Sequence, residues 1–172
     1  VLRDRGLPLF SVDTHRPAAE FDVLAFNLAA ELLYTNLLEC IDLAGVPVRT
    51  ANRSPVDPLV IVGGHCAYNP EPLADFVDAA VLGDGEEVVG EITQVLAAWK
   101  AAGRRDRRDV HLGLAAIPGV YVPCLYKATF VGDRLAAVVP REPGAPEVVE
   151  KRTVADLADW PYPRQQLVPL TE

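Results

Sequence analysis

Two glycine turns carry the residue types best suited to hold a ligand: Gly63-Gly64-His65 and Gly83-Asp84-Gly85-Glu86. Glycine lets backbone approach a bound molecule closely and adopts positive φ where a strand bends sharply into a helix. The second turn also opens a helical pattern, and the free N–H groups at such an end can hold a hydroxyl or phosphate oxygen. Its carboxylates Asp84, Glu86 and Glu87 cap that end favourably yet repel phosphate, so ribose hydroxyls or amides suit it better than anions. The same residues serve equally as two tight turns and a well-capped helix, and both readings stand at this level.

Four further side chains bear on chemistry. His65 could ligate a metal centre as neutral imidazole, but a lone histidine beside a glycine turn is more often a hydrogen-bonding loop residue. Cys66 is expected to be partly buried and not a reactive thiol. Asn27, at a strand end, and Glu31, one turn into the following helix, point to the same edge as the glycine turns; Asn27 also suits a turn or cap. No nucleophile elbow, P-loop, GxGxxG, paired zinc ligands or Ser/His/Asp arrangement is present. Binding or scaffolding is therefore expected of these residues, with no catalytic residue and no metal ligand among them.

The elements that must position these turns alternate between strand and helix. Leu9–Val12 is a candidate strand, and Asp22–Asn27 is a continuous apolar run of the kind buried on both faces of a sheet. Ala29–Ala44 then repeats Leu32, Leu33, Asn36, Leu37, Cys40 and Ile41 at helical spacing, and Gly45 ends it. Pro58–Val62 is the next strand, followed by the first glycine turn and a short helix at Glu71–Phe76. Ala79–Leu82 runs into the second turn, and Glu87–Ala102 is a strongly amphipathic helix. Three such units predict an α/β fold with a parallel sheet, its strand-end loops gathered on the edge where doubly wound folds bind ligands. After Gly103 the pattern changes: Val120–Val131 and Leu135–Val139 read as strands joined by Gly132-Asp133, Val148–Thr153 as a third, and the proline-punctuated end from Trp160 as an extended linker.

Composition narrows the partners. The 172 residues are 50% hydrophobic and 23% charged, enough for a core without metal or disulfide. A net charge of -8 argues against nucleic-acid binding, because a phosphate backbone repels an acidic surface. Arg104, Arg105, Arg107 and Arg108, interleaved with Asp106 and Asp109, read as a solvated loop. The three cysteines, Cys40, Cys66 and Cys124, form no CxxC pair, which fits a reduced cytoplasmic setting. No apolar run reaches the ~18 residues of a membrane span. The chain opens on Val1 and contains no Met, so a fragment of a longer polypeptide is expected.

Taken in order, Gly63-Gly64-His65, Asn69-Pro70-Glu71-Pro72, Phe76-Val77-Asp78-Ala79 and Leu82-Gly83-Asp84-Gly85-Glu86-Glu87 resemble the signature of the cobalamin-binding domain in radical S-adenosylmethionine proteins. Gly6–Ser11, Tyr34–Leu38 and Lys151-Arg152-Thr153 resemble a bacterial Fe–S oxidoreductase subgroup, and Trp160–Pro163 with Leu167–Glu172 is similar to the segment before its cluster-binding CxxxCxxC. The resemblance implies a Rossmann-like, cobalamin-binding or flavodoxin-like domain over 1–103, incomplete at its N-terminus. It also implies a β-hairpin appendage over 104–159 and a linker over 160–172 leading to a C-terminal radical S-adenosylmethionine barrel.

It implies a ligand pocket at Asn27, Gly63, Gly64, His65, Gly83, Asp84, Gly85 and Glu86, with cobalamin as its ligand. The 4Fe–4S cluster and S-adenosylmethionine belong to the parent protein, since CxxxCxxC is absent here. DxHxxG is also absent, and none of His15, His65 and His111 replaces its axial histidine, so a bound cobalamin would be held by its edges. Loss of the first, central strand would expose neighbouring strand edges and favour a homodimer, a swapped segment or a rearranged sheet that pairs them. The expected function is a ligand-binding and scaffolding domain; the alternative is a ligand-free module that docks the catalytic barrel.

Overall fold

A computed structural model describes residues 1–161 of the chain. Its centre is a sheet of four strands in the order β1 (Val23–Asn27), β2 (Leu59–Gly63), β3 (Ala79–Val81) and β4 (Val120–Tyr121). The first three run parallel and β4 is antiparallel to β3. The register sets Val23 beside Leu59, Ala25 beside Ile61 and Asn27 beside Gly63, so these residues share one face. Leu59, Val60, Ile61 and Val62 are all buried, as expected of a strand covered on both sides.

Helix α1 (Tyr34–Leu43) follows β1 and buries Leu37 and Ile41 at i,i+4 spacing. It ends where Gly45 takes φ +74° and Val46 N–H donates to the Ile41 carbonyl at 3.2 Å. The Tyr34 hydroxyl pins the helix to the turn after β2 by donating to the Cys66 carbonyl at 3.0 Å. Helix α2 (Val88–Ala101) buries Val88, Ile92, Leu96 and Trp99. The Trp99 indole N–H donates to the Asp106 carbonyl at 2.8 Å and so turns the chain into α3 (Arg107–Ala115). The antiparallel pair β5 (Tyr126–Val131) and β6 (Arg134–Pro140) forms a separate hairpin about Gly132, which takes φ +60°.

Four sequence expectations change. Leu9–Val12 joins no sheet; Phe10 makes only an isolated bridge to Pro17. The Arg104–Arg108 run is not simply a solvated loop, because the Asp106 carboxylate accepts from Arg108 N–H at 2.8 Å and caps α3. Val120–Val131 is two strands, interrupted by a 3-10 turn at Pro123–Leu125 that follows from proline's fixed φ. Val148–Thr153 adds no strand to the hairpin, and Arg152 bridges Gly83 instead. Both α3 and β4, beyond residue 103, pack with the four-stranded sheet, and β4 pairs with β3. From residue 162 on, the expected linker lies outside the described residues. Among the described residues no helix is long and apolar enough to cross a membrane.

Candidate functional site

The strand-end turns meet on one face of the sheet. Asn27, Gly63, Gly64, Gly83 and Gly85 line a groove of about 520 Å³, floored by Val23, Ala25, Ile61 and Val81 and walled by Val88, Val89, Ile92, Thr93 and Leu96 of α2. Its surface is mostly apolar, with the Asn27 carboxamide at the rim. His65 is exposed and does not line it, and neither Asp84 nor the exposed Glu86 does so.

Two of the glycines already face this chain's own backbone. At Gly64, φ is +92°, and a Cβ would collide with Asn27 Oδ1 and the Leu28 carbonyl. That close approach lets Leu28 N–H donate to the Gly63 carbonyl at 2.7 Å and Cys66 N–H to the Leu28 carbonyl at 2.9 Å. At Gly83, φ is +107°, and a Cβ would occupy the place of the Arg152 backbone. The segment around Arg152 lies against the turn as a strap. Arg152 N–H donates to the Leu82 carbonyl at 2.8 Å, Asp84 N–H to the Arg152 carbonyl at 3.1 Å, and Val154 N–H to Asp84 Oδ2 at 2.8 Å. The Arg152 guanidinium forks onto Glu87 (2.6 Å), the residue before α2, and Glu91 (2.7 Å) in its first turn. Asp84 is therefore occupied in holding the strap, and Glu86 makes no such contact.

A second constellation lies away from the groove and shares none of its lining residues. Asp78, just before β3, has no exposed side-chain surface. Its Oδ1 accepts from Arg107 Nη2 at 2.7 Å and bonds His111 Nε2 at 2.9 Å. Its Oδ2 accepts from Arg53 Nη1 and from Val60 N–H, both at 2.8 Å. Arg53 spends its other donors on the Pro47, Val48 and Phe76 carbonyls, and Arg107 on those of Ser54, Asp57 and Pro58. Only Arg107 Nε, among the buried side-chain polar atoms described, lacks a partner. His111 Nδ1 lies 3.3 Å from Cys124 Sγ. The carboxylate therefore ties the loop before β2, the start of β2, the entry to β3 and helix α3 to one another.

Burial alone would raise the Asp78 carboxyl, but the His111 hydrogen bond and the Arg107 and Arg53 charges outweigh it and hold it down at about 2. Burial pushes His111 down, and its bonds to Asp78 and Cys124 overcome this and lift it to about 9. His111 is thus an imidazolium at neutral pH, donating from both ring nitrogens.

These shifts bound the pH range of stability. A group raised in the folded state stabilises fully below its unfolded value of about 6.5 and loses that contribution as pH rises through about 9. A depressed carboxylate stabilises above about 3.8 and loses its contribution as pH falls through about 2. Stability is expected to be flat between about pH 4 and 6.5. It should decline toward pH 9 by on the order of 2–3 kcal/mol in denaturant melts, and a profile level to pH 9.5 would refute the imidazolium.

The sequence reading missed this cluster. Arg107 and His111 lie one helical turn apart, on the same face as Val110, Leu114 and Ala115, all buried. Asp106 as an N-cap before that spacing was the available signal. Nothing local, however, marks Arg53, Asp78 and Cys124 as their partners.

Together these features define a mixed α/β domain with a strand-end groove and a buried ionic cluster beneath its helices. The family of radical S-adenosylmethionine proteins, N-terminal, matches residues 1–123. The chain belongs to that family, as an accessory domain of a radical S-adenosylmethionine protein. Comparison with curated proteins and with solved structures gives no match.

Proposed function

We propose that this domain binds a ligand in the groove above β1, β2 and β3 and presents it to the radical S-adenosylmethionine region of its protein. The observation that carries the reading is convergence: residues from the ends of three parallel strands, Asn27, Gly63-Gly64 and Gly83-Gly85, line one cavity. Those loops lie where an open parallel sheet binds its ligands, and the groove continues from them along the sheet face over Ala25 and Ile61, beside α2. The apolar floor and the Asn27 carboxamide suit a broad, flat molecule with amide-bearing edges, and cobalamin has that chemistry. No histidine lines the groove, so Asn27, Gly63, Gly64 and Gly85 would hold a cobalamin by its edges. When bound, the cofactor supplies radical or alkyl-transfer chemistry of its own; the chain's part is to bind, orient and shield it.

Titration of the 172-residue chain with hydroxocobalamin and adenosylcobalamin, followed by absorbance and calorimetry, tests this. Saturable binding is expected, weakened at least tenfold, or about 1.4 kcal/mol, by Val89→Arg, which adds bulk at an exposed position of the groove wall. Binding insensitive to Val89→Arg, or none at all, overturns the proposal. The ligand-free docking reading gains support from Gly64 and Gly83, whose open sides are filled by this chain. It is favoured if neither cobalamin binds.

A further inference from the structure

We propose that Cys124 is a nucleophilic thiol in a second site, activated by His111 and Asp78 and serving a small, carboxylate-bearing electrophile. The geometry is a relay: Cys124 Sγ to His111 Nδ1 at 3.3 Å, and His111 Nε2 to Asp78 Oδ1 at 2.9 Å. A cationic imidazole within hydrogen-bond reach of a thiol, itself oriented by a carboxylate, is an arrangement that activates a nucleophile by favouring its thiolate. The thiolate is the reactive form, and an imidazolium beside it is its natural counter-ion.

The three residues border or underlie a cavity of about 490 Å³ to which Cys124 contributes directly. Cys124 also lines a smaller one of about 190 Å³, with Arg108 and Glu142 at its wall. A stabilising role for Asp78 explains the buried ion pairs, but it does not require a thiol at the cavity wall.

The charges facing the larger cavity select the ligand. His111 and the exposed Arg141 line it, with Arg107 barely exposed and Arg53 buried beneath, against Glu71 and Asp75. Glu71 is engaged by the Tyr121 hydroxyl at 2.5 Å and Asp75 by Arg49 at 2.5 Å. Arg53, Arg107 and His111 share the single Asp78 carboxylate. Arg141 donates from Nε to the Cys124 carbonyl at 2.9 Å and forms no ion pair among the described residues, leaving its guanidinium beside the thiol to receive an anion. Tyr121 and Tyr126 supply the aromatic wall. In the reaction the sulfur lone pair forms a bond to the electrophilic carbon while the bond to the leaving group breaks. The leaving group departs with its electron pair, and the thiol proton passes to solvent, the thiolate being paired with the His111 imidazolium.

Iodoacetate and iodoacetamide are the probes, since they deliver the same carbon with and without a negative charge; iodide leaves and an S–CH2 bond forms. Cys40 and Cys66 are internal controls, because all three cysteines are partly exposed. Rates at each cysteine, read by mass spectrometry at pH 7, should show Cys124 reacting at least tenfold faster than either, with the largest iodoacetate preference. Arg141→Gln, at an exposed position, should bring that preference, the ratio of the iodoacetate to the iodoacetamide rate, down to the control ratio. His111→Asn should slow Cys124 toward both reagents. If His111→Asn fails to fold, the Arg141→Gln comparison decides alone. Equal rates at the three cysteines, or a preference unchanged by Arg141→Gln, overturns the proposal, and neither outcome bears on cobalamin binding in the groove.

Discussion

Asp78→Asn is expected to lower the unfolding free energy by about 3–5 kcal/mol, the range for removing one partner from a buried ion pair. The substitution keeps the shape and removes the charge. Arg53 has no exposed side-chain surface and Arg107 very little, so both guanidiniums would be left buried without a counter-ion. The four segments joined by Asp78 would lose their common anchor. Denaturant melts give the loss directly, and Asp75→Asn is the matched control. Asp75 pairs with Arg49 at the surface, both side chains being more than half exposed, and such pairs contribute about 0–1 kcal/mol. A second readout is independent of stability. Without Asp78, burial dominates at His111, and its titration by NMR should fall from about 9 to below the usual imidazole value. A loss under 1 kcal/mol, or an unmoved histidine, would show that Asp78 does not hold the cluster together.

Gly83→Ala is expected to detach the strap and cost at least about 2–3 kcal/mol. The backbone there has φ +107°, a conformation that strains any side-chain-bearing residue by about 1–3 kcal/mol. The new methyl group would also fall on the Arg152 backbone. Both partners are main chain, so no rotamer change relieves the clash. The hydrogen bonds from Arg152 N–H to Leu82 and from Val154 N–H to Asp84 should open together, read as loss of hydrogen-exchange protection at those two amides. Gly85→Ala is the control: nothing lies within 4 Å of the added methyl, and the change should stay within about 0.5 kcal/mol. Retained protection at Arg152 and Val154 in Gly83→Ala would mean that the turn tolerates a side chain.

The two results separate roles that one motif carries together. In Gly83-Asp84-Gly85-Glu86, the first two residues hold the Arg152 strap, while Gly83 and Gly85 also face the groove. Gly83→Ala therefore tests architecture, and Val89→Arg tests occupancy of the groove without disturbing the strap.

Local chemistry by itself determined the units of this fold. Val60-Ile61-Val62 is β-branched and apolar, and forms a strand buried on both faces. The spacing of Leu37 and Ile41 makes a helix that Gly45 ends, and Gly132-Asp133 makes a hairpin turn. The glycine turns, too, were visible as points where strand becomes helix, and Asn27, Gly63 and Gly85 do meet in one groove. Each of these follows from interactions within a few residues, where φ preference and side-chain period act.

The tertiary structure alone decided what the polar residues do. Leu9–Val12 has the composition of a strand, but no sheet edge takes it up. Arg107 sits in a charge run that reads as solvated, and becomes buried because α3 turns it onto a carboxylate 29 residues earlier in the chain. Arg53, Asp78, His111 and Cys124 come from four separate segments, and no period or spacing connects them. Burial in a low-dielectric interior leaves each of these charges only the partner that the fold brings to it, and the pairing is set by packing at long range.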